Sequence, residues 1–539
     1  MSTALPGQRR ANEPNGNPPA QVLNWIMLVI RTGSGYLLAA VLSWLAGQTT
    51  GLGRGTASPA PPALFAFESL RQQAAAEATR PYEPPADNLP DDLKNLSYDA
   101  YQMIRFRPTA GPWQAGNLPF TLQFFHPGWL YKDQVRIHLI KDGQVREFLF
   151  SPTEFEYGTN HFPQPLPSGT HFSGLRILYP VNLPTKQDEV ASFVGASYFR
   201  LLGKGQRYGA SARALAIDTA EPSGEEFPRF TEFWIERPNR HASALNFFAQ
   251  LDSPSATGAY RFVLRPGKVT VLEVEAYVFL RKDVKKLGLA PLTSMFLVGA
   301  NRTRYIPDYR PEVHDSDSLL LEAATGEWQA RPLINPEKTF HLSGFPSNEI
   351  KGFGLLQRQR EFCDYEDLGA RYDLRPDLWV KPSQPWGQGV LELVEIPTPN
   401  EWNDNIVAYW IPEQKAVGRE NFHVTYSVSA SLADPPRPAL LAAHSTRIDP
   451  PHAGKPPRFF IDFSGRPPVA LSPDAPIAAG VKASRGEIQN LVVQANAVTG
   501  GWRVFFDLVA SGGEPVQLRA VLRLGQRALS ETWVYLWIP

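Results

Sequence analysis

The chain has 539 residues, with 53 Lys and Arg matched by 53 Asp and Glu, 51 Pro, 13 Trp, 18 Tyr, 31 Phe and one Cys. Zero formal charge argues against a nucleic-acid binder or a polybasic membrane-surface protein, since both need excess cations. One cysteine excludes an internal disulfide and any cysteine-built zinc or iron–sulfur site.

Proline stands at about twice its usual ~5%, which disfavours long helices because it removes a donor and clashes with the preceding turn. Residues 1–24 are polar, with Arg9 and Arg10 adjacent; an apolar run from Trp25 to Ile30, Arg31 and a second apolar run over 36–46 follow. A basic lead-in, an ~11-residue apolar core and small residues predict an export signal. The rival is one spanning helix over 25–47, which would place Arg31 inside the bilayer at a cost of a few kcal/mol. A Gly/Ser/Pro linker follows, so 1–66 is set apart from the fold.

The stretch FESLRQQAAAEA at 67–78 lacks Gly and Pro and predicts a helix. A second helix is expected over 95–106, with Ser97 and Asp99 near its start. From 121 onward the pattern turns to period two and predicts short strands at 122–124, 135–139, 145–150, 260–264, 269–280, 294–298, 354–357, 391–395 and 406–409. No helical pattern is interleaved, so the expectation is all-β, with antiparallel sheets packed as sandwiches. The proline cluster SLADPPRP at 431–438 marks a boundary. Beyond it, strands at 458–463, 486–494, 502–509, 516–524 and 532–538 have the rhythm of an immunoglobulin-like sandwich. The expected division is a large β-sandwich domain over 67–431 and a smaller immunoglobulin-like domain over 439–539.

GKGQRYG at 203–209 imitates a phosphate-binding loop. Its third Gly comes four residues after the second instead of three, and no helix pattern follows, so it reads as a Gly-rich turn. Neither HExxH nor GxSxG occurs. Cys363 reads as a small buried or half-buried side chain. What remains is acids and aromatics on loops: HDSD at 314–317, EFCDYEDLGARYD at 361–373, and EWNDN at 401–405 just before a strand. Glycoside chemistry needs two carboxyls, one protonated for the leaving oxygen and one ionised. By themselves, such acids read equally well as turn formers.

Longer runs carry a resemblance: GASYFRLLGKGQRYGASARALAIDT (195–219), SGEEFPRFTEFWIERP (223–238), LDSPSATGAYRF (251–262), KLGLAPLTSMFL (286–297), RPEVHDSD (310–317), GFGLLQ (352–357), WGQGVLELVEIP (386–397) and NDNIVAYW (403–410). In this order they resemble the periplasmic glucan biosynthesis G and D family, closer to G. The resemblance implies a periplasmic protein of a large β-sandwich and an immunoglobulin-like domain, serving osmoregulated periplasmic glucans with β-1,2-linked backbones. It further implies an inverting endo-β-1,2-glucanase, with transglycosylation in some relatives; from the residues themselves, no metal site and no cofactor are expected. The family's general acid falls on Asp404, and its general base on Asp315, acting through a relay of hydroxyl and water. Tyr198, Arg213, Glu226, Trp234, Arg358 and Tyr372 are further candidates for lining a sugar cleft, against an alternative as sheet packing or structural ion pairs. The expected partners are β-1,2-glucan and, with it, the membrane glucan synthase, with no nucleic acid; a homo-oligomer is left open. A non-catalytic glucan-binding role competes with the enzyme reading. The chain departs from the family pattern at Trp402, where a small Thr is usual, at Glu361 for Asp, and at Ser318 for Gly.

Overall fold

The computed structural model describes residues 64–113, 117–162, 166–301, 306–452, 454–472 and 474–539. The predicted export segment lies outside them, apart from residues 64–66. Phe65 donates its N–H to the Gly143 carbonyl at 2.8 Å and packs against Trp234 and Phe248. None of the described helices is long and apolar enough to cross a membrane.

Among the described residues the chain is almost entirely strand. A 10-stranded sheet runs in the order Thr121–Phe125, Gly174–Tyr179, Asp188–Val194, Tyr198–Leu201, Ser211–Arg213, Leu287–Ser294, Ile406–Pro412, Gly389–Glu395, His341–Ser347, with Leu215–Ile217 also pairing Leu287–Ser294. It faces a 15-stranded sheet whose middle is Ile350–Leu356, Asp377–Pro382, Asn421–Ser431, Thr270–Leu280, Ala256–Arg265, Leu245–Asp252 and Arg229–Glu236. Alternation sends one face of each strand inward. Phe193 and Phe199 of the first sheet thus meet Phe247 and Phe262 of the second, at ring separations of 5.3–6.3 Å. Each such fully buried ring is worth about 1.5–3 kcal/mol of hydrophobic burial.

The predicted strands overlap observed ones, and Val516–Leu524 has the predicted bounds, but the strand expected at 145–150 ends at Glu147 and the one at 294–298 is interrupted at Met295. Two pairings are parallel, contrary to the antiparallel expectation: Arg136–Lys141 with Arg229–Glu236, and Trp328–Pro332 with Thr532–Trp537. Both join strands far apart in sequence, which supplies the long crossover that parallel pairing needs. The helix Phe67–Ala78 forms as predicted and lays Leu70 and Ala74 on the outer face of the 15-stranded sheet. The helix expected over 95–106 shrinks to Tyr98–Gln102, where the Ser97 hydroxyl accepts the Ala100 N–H at 3.2 Å. Its remainder is drawn into strand Arg105–Phe106, because Phe106 reaches the main core edge-on to Phe124 and Phe155.

Past the proline cluster, Ala442–Asp449, Arg458–Ser464, Gly501–Val509 and Glu487–Asn496 form a 4-stranded sheet. Trp502, Val504, Phe506 and Leu508 share one face, as their alternation predicts. They pack with Leu518, Trp533 and Tyr535, and the same core takes in Leu320, Trp328, Leu356 and Trp379 from before the cluster. Strand Thr532–Trp537 extends the 15-stranded sheet directly.

Gly354 sits where strands Ile350–Leu356 and Asp377–Pro382 close up, and a Cβ there would lie 2.3 Å from the Leu378 carbonyl oxygen and 2.9 Å from the Trp379 ring. Gly354→Ala should therefore lower stability by about 1–3 kcal/mol through overpacking, read as a lower denaturant midpoint. An unchanged midpoint would mean that the strand pair yields freely.

Candidate active site

The two candidate acids stand 89 residues apart in sequence (404 against 315) but hang from one short segment, Ser294 to Phe296. The Asp315 N–H donates to the Met295 carbonyl at 2.8 Å, and Ser316 Oγ meets Ser294 Oγ at 2.6 Å. On the other side, buried Asn405 donates its backbone N–H to Ser294 O at 3.0 Å. Its side chain accepts the Phe296 N–H at 2.8 Å and donates to Phe296 O at 3.0 Å and Ile396 O at 2.9 Å. Asn405 is thus the peg that sets Asp404 at the head of strand Ile406–Pro412.

The two carboxyls have different surroundings. Asp315 is buried and ion-paired through Oδ1 to Arg375 Nη1. The Arg375 guanidinium lies 3.9 Å from the centre of the Tyr372 ring. Gly209 makes room for this arrangement, since a Cβ there would come within 2.8 Å of the Arg375 side chain. The Gly-rich stretch is indeed a turn, with Gly205 at φ 75°, and its function here is close approach. Asp404 is half-buried and makes no hydrogen bond or ion pair among the described residues. Burial is the largest cause pushing its carboxyl above the usual 3.8; Asp315 adds to the rise, while Arg200, Arg213 and Arg375 oppose it.

Tyr198 and Arg213 are cross-strand partners beside Asp404. Arg213 is buried, lies 5.0 Å from the Tyr198 ring centre, and donates to Thr293 Oγ1 at 3.1 Å and Glu225 Oε1 at 2.6 Å. Burial raises the Tyr198 phenol pKa. Tyr372 also belongs to the cluster, but its ring is buried with Arg375 over it, and its hydroxyl donates to Glu401 Oε2 at 2.8 Å. It supports Arg375 and leaves no open face to a sugar on that side.

Three cleft candidates are not gathered with the acids. Glu226 spends both oxygens on Ser255, at 2.8 Å to N and 2.6 Å to Oγ, holding a turn; the neighbouring Glu225 is the one that meets Arg213. Trp234 is buried under helix Phe67–Ala78, stacked on His138. Arg358 is buried in an ion-pair network with Glu531 and Asp434. Each of the three side chains is taken up by packing or by a structural pairing. Cys363 is exposed, contrary to expectation: the short turn Phe362–Asp364 sends it outward while Tyr365 fills the core.

Sequence reasoning missed Arg375, Arg200, Glu225 and Asn405. Asn405 was within sight, adjacent to Asp404 in the quoted motif. Nothing local distinguishes Arg375 from other loop arginines.

Comparison with known proteins agrees with the resemblance. The family model described as "Periplasmic glucan biosynthesis protein, MdoG" matches residues 65–537. The chain is 45% identical over 486 residues to the Glucans biosynthesis protein G of Ralstonia nicotianae, covering 88% of this chain and 96% of the relative. It is 45% identical over 472 residues to that of Rhodopseudomonas palustris (87% and 93% covered), and 44% identical over 490 residues to that of Pseudomonas aeruginosa (88% and 93% covered).

Proposed function

The chain belongs to the periplasmic glucan biosynthesis protein family, and on that premise we propose that it is an inverting endo-β-1,2-glucanase of the periplasm, acting on the glucan backbone. The observation that carries this reading is the asymmetry between two carboxyls fixed to one backbone segment. Asp315 is ion-paired to the Arg375 guanidinium. Asp404 has no hydrogen-bond partner among the described residues and a carboxyl pKa raised chiefly by burial, which suits a group that must arrive protonated.

In the proposed reaction Asp404 gives its proton to the glycosidic oxygen as the C1–O bond breaks. Water adds to C1 from the opposite face, and its proton passes through a bridging hydroxyl or water to Asp315. Arg375 fixes the direction of the Asp315 carboxylate. Arg213 and Tyr198 border Asp404, where they can orient the sugar hydroxyls. Neutral overall charge fits an uncharged polymer, for which excess cations bring no gain.

The purified protein should shorten linear β-1,2-glucan, and proton NMR of the first products should show the α-anomer at the new reducing end. Unchanged chain length would overturn the enzyme reading in favour of glucan binding alone. Products of the β-anomer, or re-linked chains, would overturn inversion by water.

A further inference from the structure

Arg310 clasps three separate loops at once. It pairs with Asp308 at 2.7 Å, Asp367 at 2.9 Å and Glu401 at 2.7 Å, and is itself mostly buried. In each loop the clasped acid is followed by a large apolar side chain pointing into solvent: Tyr309, Leu368 and Trp402, which are 75%, 83% and 81% exposed. Asp367 Oδ1 also accepts the N–H groups of Gly369 and Ala370 at 2.9 and 2.7 Å, and Asn400 Oδ1 accepts the Trp402 N–H at 3.1 Å. The backbones that display these side chains are therefore pinned.

Exposing three such side chains on pinned loops wastes apolar area unless something covers them. The clasp leads to both acids. Glu401 accepts from Tyr372, which supports Arg375, which holds Asp315; Trp402 is two residues from Asp404. Three side chains are too few for a stable protein interface, which needs roughly 800 Å² from each partner. An aromatic face beside a glycosidic site instead matches the apolar faces of successive glucose rings.

We propose that the Arg310 clasp builds a distal sugar-binding rim, with Trp402 as its stacking face and Tyr309 and Leu368 beside it, gripping the glucan chain beyond the bond that is cleaved. Arg310 acts as a positioning residue for all three loops. The inference rests on the reading of this chain as a β-1,2-glucanase and assigns that site a preference for long chains.

The test titrates linear β-1,2-glucan oligomers of increasing length by calorimetry into the Asp404→Asn protein, where the ligand stays intact. Adding Trp402→Ala should weaken binding of the long oligomers by about tenfold, or ~1.4 kcal/mol, and leave the shortest bound oligomers unaffected. Arg310→Ala should give the same length-dependent loss. The exposed position of Trp402 predicts an unchanged melting temperature, which checks folding. Long-oligomer affinity unchanged by Trp402→Ala and by a Tyr309→Ala/Leu368→Ala pair would overturn the rim alone. An equal loss at every length would also overturn it. Absence of glucan binding at any length by the Asp404→Asn parent would overturn the rim together with the glucanase reading.

Discussion

Asp404→Asn should lower kcat on β-1,2-glucan by about 10²–10⁴-fold, the range for losing a general acid, while the protein stays folded. The pH dependence gives the sign. The acid works only when protonated, so wild-type activity should fall as pH rises through the raised pKa of Asp404. The residual activity of the Asn variant should lack that alkaline limb. The substitution should act on stability in the opposite sense to its effect on activity. Folding raises this carboxyl's pKa above 3.8, so the native state binds the proton more tightly than the unfolded chain. The resulting cost is absent below 3.8 and complete above the raised value, and Asn removes it. The variant should therefore melt no lower than wild type at neutral pH. Retained activity with the alkaline limb intact would remove Asp404 from the acid's role.

Glu531→Ala should destabilise the protein by about 3–5 kcal/mol, the cost of breaking a buried ion pair by removing one partner. Glu531 is fully buried, receives Arg358 Nη2 at 3.0 Å, faces Arg437, and accepts the Ala443 N–H at 3.0 Å. Its loss leaves two largely buried guanidiniums sharing the more exposed Asp434. The effect should also reach the site, because the backbone N–H of Arg358 donates to Asp317 at 2.9 Å, two residues from Asp315. Chemical denaturation measures the loss, and a midpoint within error of wild type would show that Arg358 and Arg437 find other partners.

This network also shows where sequence reading reaches its limit. Arg358 follows a motif strand and has the chemistry to bind a sugar hydroxyl, so it stood among the cleft candidates. Its neighbour Glu531 is 173 positions away, and only the return of strand Thr532–Trp537 to Trp328–Pro332 brings the two charges together. Trp234 misleads in the same way: its strand alternates correctly, but which face is covered depends on where helix Phe67–Ala78 lies. Glu225 and Glu226 are adjacent in sequence and point to opposite partners, Arg213 and Ser255.

The sequence by itself determined the all-β class, nearly all of the strand positions it named, the helix at 67–78 and the family. Each of these follows from periodicity or from motifs within short contiguous stretches, where the side chain's neighbours are the chain's own next residues. Tertiary structure alone decided that Arg375 clamps Asp315, that Arg310 joins three loops, and that two strand pairs run parallel. Those outcomes depend on which distant loops meet. An arginine's partner is set by the carboxylates that folding brings within about 4 Å, a distance that no local pattern encodes.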